Sequence, residues 1–185
     1  WNRYKVWKRL EPSAEPLVTS SNYQYMTEEL PRYYQQLAVN RSIEAIARGQ
    51  KRVLLAMATG TGKTRTAFNI IWRLWKTGKA KRILFLADRN ILVDQTMIND
   101  FKPFGSVMTK LNRSLVDRDN GKVDTSYEIY LALYQAIMGG EDLEPIYNKF
   151  PRDFFDLVVI DECHRGSAAD DATWKTILNY FDSAI

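Results

Sequence analysis

Met57-Ala58-Thr59-Gly60-Thr61-Gly62-Lys63-Thr64 lies between the apolar run Val53-Leu54-Leu55-Ala56 and a segment whose apolar residues recur at helical spacing. Strand, glycine-rich loop and helix in that order form a phosphate cradle. Glycines let successive backbone N–H groups turn toward phosphate oxygens, and the helix N-terminus adds the positive end of its dipole. In such a loop Lys63 reaches the β- and γ-phosphates, and the Thr64 hydroxyl is a ligand for Mg²⁺. Thr59, Gly60, Thr61 and Gly62 supply the backbone contacts. The general pattern opens with Gly, and Met57 stands there instead.

The flanking pattern sets the fold class. Pro31 opens a segment with Leu37, Val39, Ile43, Ile46 and Ala47 at helical spacing, and Gly49 stops it. A strand at 52–57 and a helix from about 63 to 77 follow. That helix carries Ala67, Ile70, Ile71, Leu74 and Trp75 on one face, widened by Phe68 and Trp72, and Gly78 ends it. A stripe so wide implies burial on most sides. Residues 82–87 form a short apolar strand, followed by a helix over about 90–101 capped by Asp88 or Asn90. Residues 112–126 are polar, with the turn signal Asp119-Asn120-Gly121, and read as a loop or hairpin tip. Further strands are expected at 127–133 and 155–160, a short helix at 134–138 and a last helix at 172–181. Strands alternating with helices give an α/β fold, a mostly parallel sheet flanked by helices.

Composition excludes several classes. The hydrophobic fraction of 45% and charged fraction of 26% belong to a folded domain. No apolar run approaches the ~20 residues of a membrane span. The single Cys163 excludes an internal disulfide, which suits a cytoplasmic setting. Residues 1–29, with Pro12, Pro16 and many aromatics, read as a linker or the tail of a preceding domain, and 30–185 as the domain itself. A first residue of Trp rather than Met is expected for a piece of a longer protein. Lys and Arg outnumber Asp and Glu by 19 to 8 over residues 1–110, and the ratio reverses to 7 against 14 over 111–185. A basic front half can approach polyphosphate, although solvated helix faces give the same count.

Asp161-Glu162-Cys163-His164 directly follows the apolar strand. Asp161 suits Mg²⁺, and Glu162 suits orienting and deprotonating the water that attacks a γ-phosphate. A charged turn at a strand end is the structural alternative. Cys163 fits packing better than nucleophilic chemistry, and one His cannot build a His-based metal cage.

Ala58-Thr59-Gly60-Thr61-Gly62-Lys63-Thr64 together with Asp161-Glu162-Cys163-His164 resembles a superfamily two helicase or translocase. The resemblance implies a RecA-like P-loop NTPase lobe using ATP and Mg²⁺, with His164 coupling the ATP site to other motifs. Arg32-Tyr33-Tyr34-Gln35 resembles the upstream glutamine motif, in which Gln35 reads the adenine edge. A helix start explains that tetrapeptide equally well. Leu86 to Gln95 resembles motif Ia, making Arg89 a phosphate contact on nucleic acid. Tyr134-Gln135 resembles a short motif lying near DNA. These matches span residues 30–166. Phe85 to Gln95, Asn99-Asp100-Phe101-Lys102-Pro103-Phe104 and Asp161 to Ser167 further resemble the motor (HsdR) subunit of type I restriction enzymes.

That likeness implies a motor translocating double-stranded DNA, working with modification and specificity subunits, a second RecA-like lobe and a nuclease domain of the same parent protein. Asp100-Phe101-Lys102 with Asp88 is the only fragment of a nuclease pattern here, and both parts lie inside the motor motifs. Another superfamily two motor (a repair helicase or a type III restriction motor), a small-substrate kinase and a nucleotide-gated binding module are the rivals. Glu162 beside Asp161 favours water as nucleophile over the kinase. The later helicase motifs, including the arginine fingers that in relatives stabilise transition-state charge, are not in this sequence. Residues 1–185 alone are therefore expected to bind nucleotide and hydrolyse ATP very slowly; a phosphate-release assay with and without duplex DNA checks this, and rapid DNA-stimulated turnover contradicts it.

Overall fold

The computed structural model describes residues 1–24, 31–87, 100–118, 121–139, 144–161 and 168–185. Contacts divide the chain into two compact units, Trp1–Ala80 and Lys81–Ala184.

The first unit is helical. Helix α3 (Tyr33–Ala47) packs on α4 (Lys63–Lys76). Val39, Ile43 and Ile46 from α3, and Phe68, Ile71 and Leu74 from α4, are buried. Two short helices precede them, α1 (Asn2–Lys8) and α2 (Glu15–Thr19), the latter entered through a 3₁₀ turn at Pro12–Ala14. Residues 1–24 are thus more ordered than a linker reading suggests. Their anchors are polar groups on the later helices. The buried Arg73 of α4 donates from Nε to Ser20 Oγ (3.0 Å), from Nη1 to Asn40 Oδ1 (2.8 Å), and from Nη2 to the carbonyls of Leu17 (3.0 Å) and Val18 (2.7 Å). The Tyr23 N–H donates to Asn69 Oδ1 (3.0 Å), and its ring meets Trp72 edge-on at 4.8 Å. Glu44 of α3 accepts from Lys8 Nζ (2.7 Å) and from the Tyr4 hydroxyl (2.6 Å).

Residues 52–57 form no strand. The apolar run that suggested one has no ladder partner among the described residues, and Leu54 is 81% exposed. A strand exists only where a neighbour completes its hydrogen bonds.

The second unit is built on a parallel sheet of β1 (Ile83–Ala87), β2 (Met108–Leu111), β3 (Ile129–Leu133) and β4 (Leu157–Ile160), in the order β2-β3-β1-β4. β1 is central and buried throughout, as its unbroken apolar sequence requires. Asp156 aligns the start of β4 with that of β1: its carboxylate accepts from the N–H groups of Lys81 (2.8 Å) and Arg82 (2.9 Å). Leu84, Leu86, Tyr130, Ala132 and Val158 form one face, covered by Phe150, Phe154, Phe155 and by Ile177 of α7 (Ala168–Tyr180). The Tyr130 ring lies 5.5 Å from both Phe150 and Phe155. Elsewhere in this unit Phe85 meets Phe101 at 5.2 Å. The stretch expected to be a loop holds a helix, α5 (Arg113–Arg118), with β2 just before it, and α6 (Tyr134–Met138) lies as expected. The helix expected over 90–101 falls almost wholly outside the described residues.

The Glu44 cluster makes stability pH-dependent at both ends. Burial alone raises the Glu44 pKa, but hydrogen bonds from Lys8 and Tyr4 and the charges of Lys8 and Arg41 outweigh it and hold the carboxyl below its usual range. Its contribution is present above the unfolded carboxylate pKa and is lost as pH falls through the lower folded value. Burial, then the hydrogen bond to Glu44, push Tyr4 up to about 12. Its contribution is present below the ordinary tyrosine pKa near 10 and is lost as pH rises toward 12. Chemical unfolding across pH is expected to show both flanks, and Glu44→Gln to flatten the acid one.

Candidate nucleotide and DNA site

The loop ahead of α4 has the backbone a phosphate cradle needs. Gly60 and Gly62 sit at φ +78° and +82°, in the left-handed region closed to most side chains. Gly62 is the N-cap of α4, so Lys63 and Thr64 open the helix, both partly exposed. Thr61 closes the turn, its hydroxyl donating to the Ala58 carbonyl at 2.6 Å. Thr59 and Gly60 are exposed at the loop tip.

Gln35 braces this loop. It is the third residue of α3, buried, and its Oε1 accepts the Arg32 N–H at 3.0 Å, the reach-back contact that closes a helix start. Its Nε2 donates to the Thr61 carbonyl at 2.8 Å. A Cβ added at Gly62 would collide with the same Nε2. Gly62 is therefore required twice, for its φ and for the space Gln35 occupies. A glutamine amide has two acceptor sites and two donors. These contacts use one of each, which leaves capacity for the paired bonds that recognise an adenine edge. Exposed Arg32 is the N-cap of α3, and its guanidinium donates to the Tyr34 hydroxyl at 2.9 Å.

Beside the loop lies a cleft of about 420 Å³ lined by Tyr34, Leu37, Ala38, Arg41, Ala56, Met57, Ala58 and Thr61. Its lining is mainly apolar, with Tyr34, Arg41 and Thr61 as the polar-tipped members. The sequence reading missed this wall. Leu37 counted there toward the core stripe, whereas it is 52% exposed and faces the cleft. Tyr34, Leu37, Ala38 and Arg41 share one face of α3 at i, i+3, i+4 and i+7, which is the signal that could have found them. Met57, the departure from the loop pattern, lines the same cleft.

In the second unit Asp161 directly follows β4 and is partly exposed. Its N–H donates to the Leu86 carbonyl at 2.9 Å, and its own carbonyl accepts the Tyr134 hydroxyl at 2.7 Å. Tyr134 and Gln135 open α6 immediately after β3. Glu162, His164 and Arg89 lie outside the described residues.

Gly62→Ala imposes a left-handed alanine, costing about 1–2 kcal/mol, and displaces Gln35. Titration with a fluorescent ATP analogue is expected to show at least ~10-fold weaker binding, and Gly60→Ala, where nothing lies within 4 Å of the added carbon, a smaller loss.

The chain is 55% identical over 184 residues to the EcoAI endonuclease subunit, a type I restriction enzyme of Escherichia coli, covering 100% of this chain and 22% of that protein. It therefore spans about a fifth of that relative's length. A fragment structure assigned to an HsdR subunit of a type I restriction enzyme from Vibrio vulnificus YJ016 superposes with TM-score 0.72 at 37% identity, over 99% of this chain and 29% of that one. The UvsW helicase of bacteriophage T4 superposes with TM-score 0.61 at 16% identity, over 94% and 57%, which supports the fold alone. The parallel sheet flanked by helices is that of a RecA-like helicase lobe. Residues 28–185 match the ResIII family, described as the type III restriction enzyme res subunit, and the chain belongs to that family.

Proposed function

We propose that residues 30–185 are the first RecA-like lobe of an ATP-driven double-stranded DNA translocase, the motor of a type I restriction endonuclease R subunit. The observation that carries this is the glycine loop capping α4, braced by a glutamine that retains hydrogen-bonding capacity for a base. In this reading the backbone of residues 59–62 and Lys63 hold the phosphates of ATP. The cleft along α3 takes the adenosine end, and Arg32 and Gln35, bonded to its lining residues Tyr34 and Thr61, bind the nucleotide beside it. The Thr64 hydroxyl and the Asp161 carboxylate are hard oxygen donors of the kind Mg²⁺ selects. When bound, that ion neutralises charge on the β- and γ-oxygens.

Glu162 orients the attacking water and takes its proton. His164 couples the ATP site to the rest of the motor. Arg89, Tyr134 and Gln135 belong to the side that meets DNA. The basic balance of residues 1–110 suits that partner. A second RecA-like lobe and a nuclease domain of the parent protein, and the modification and specificity subunits, complete a cytoplasmic restriction complex. Among the described residues no helix is long and apolar enough to cross a membrane.

Phosphate release by the full-length protein, with and without duplex DNA, tests the reading. Lys63→Ala is expected to weaken nucleotide binding and abolish DNA-stimulated hydrolysis. Glu162→Gln is expected to retain nucleotide and lose at least ~100-fold in turnover, the scale of a general base. Unchanged hydrolysis in Lys63→Ala refutes the site.

A further inference from the structure

Tyr134 does something that its membership of the Tyr134-Gln135 motif does not suggest. In the strand order β2-β3-β1-β4, the end of β3 and the end of β4 are separated by β1, about two strand spacings or roughly 9.6 Å. The register sets Leu133 opposite Ala87, and Leu86 opposite Ile160. Tyr134 directly follows β3 and Asp161 directly follows β4, so each stands just past the C-terminal edge of the sheet. The Tyr134 hydroxyl spans this gap to donate to the Asp161 carbonyl at 2.7 Å, across 27 positions of sequence. On the other side of the same residue, the Asp161 N–H is held by the Leu86 carbonyl at 2.9 Å.

Both backbone polar groups of Asp161 are therefore engaged, one by β1 and one by the start of α6. A residue fixed at its N–H and at its C=O has little freedom in φ and ψ, so the direction in which its Cβ leaves the chain is set. That carbonyl is also the last atom pair before Glu162. Only a long side chain ending in a donor can make this contact: phenylalanine has the reach without the donor, serine the donor without the reach.

We propose that Tyr134 is a positioning residue for Asp161, linking the start of α6 to the main chain at the end of β4. The proposal rests on the reading of Asp161 as a Mg²⁺ ligand. It assigns the tyrosine hydroxyl to the ATP side of the motor, in place of the DNA contact given to Tyr134 above, which stays with Arg89 and Gln135. A shift of α6 would then be felt at Asp161 through one hydrogen bond, a direct route from the DNA-facing element to the hydrolytic one.

Tyr134→Phe in the full-length protein deletes the hydroxyl and keeps the ring. The first readout is the Mg²⁺ concentration at half-maximal binding of a fluorescent ATP analogue, compared with affinity for the same analogue in EDTA. The expected result is a Mg²⁺ midpoint raised about 5–10-fold, unchanged affinity in EDTA, and unchanged duplex DNA affinity. DNA-stimulated kcat is expected to fall about 10-fold with KM for ATP held within about 2-fold.

A wild-type Mg²⁺ midpoint overturns the proposal, and if DNA affinity falls instead, Tyr134 is a DNA contact. Equal losses with Mg²⁺ and in EDTA also overturn it, since they mark a merely structural tyrosine. Lys63→Ala separates this from the parent reading: a normal Tyr134→Phe beside an inactive Lys63→Ala sinks the positioning role alone, whereas an active Lys63→Ala sinks the ATP site itself.

Discussion

Parallel pairing is the constraint from which the second unit follows. Strands that run the same way finish on the same edge, and each connection must return over a face of the sheet. β1, β3 and β4 therefore deliver Ala87, Leu133 and Ile160 to one rim, Leu133 level with Ala87 and Ile160 level with Leu86. Tyr134 and Asp161, which directly follow β3 and β4, owe their nearness to that rule. Open α/β sheets place ligands at this rim for the same reason. The aromatic cluster around Tyr130 holds the sheet from one face, with Asp156 bonded to the N–H groups of Lys81 and Arg82 at the opposite end.

In the first unit the organising element is α4. One end of it is the glycine-capped loop, and near the other Arg73 gathers the N-terminal segment. Between them α3 contributes Gln35 to the loop and Asn40 to Arg73. A single helix thus shares contacts with both ends of its neighbour. The loop conformation and the anchoring of residues 17–20 belong to one packed pair of helices.

Local patterns carried much of this. The glycine loop is contiguous, so its chemistry is legible without any tertiary knowledge. α3 and α4 show the helical period with glycine stops, and β1 and β4 are short unbroken apolar runs. What escaped depends on distant partners. Residues 53–56 are as apolar as β4 but have no ladder, because composition cannot supply a neighbour. Residues 1–24 looked irregular from their prolines; their order comes from Arg73 and Glu44, dozens of positions away. Met108–Leu111 is too polar to announce a strand, and pairs because β3 lies alongside. In the site, the loop and acid residues were readable as motifs, whereas the cleft wall on α3 and the reach of Tyr134 to Asp161 are products of packing. The tetrapeptide Arg32 to Gln35 was open to two readings; the geometry shows the helix start, which Gln35 closes, and adds a hydrogen bond from Gln35 to the Thr61 carbonyl.

The Arg73 network has a consequence for ionic strength. All four of its acceptors are uncharged: two carbonyls, an amide oxygen and a hydroxyl. Salt screens attraction between ions, and it strips basic surfaces from polyphosphate. It has far less hold on a buried guanidinium bonded to neutral oxygens. As salt rises, surface ion pairs such as Lys5–Glu15 weaken first, while the N-terminal segment stays fastened to α4. The joint between that segment and the helix that carries the glycine loop is thus insulated from ionic strength.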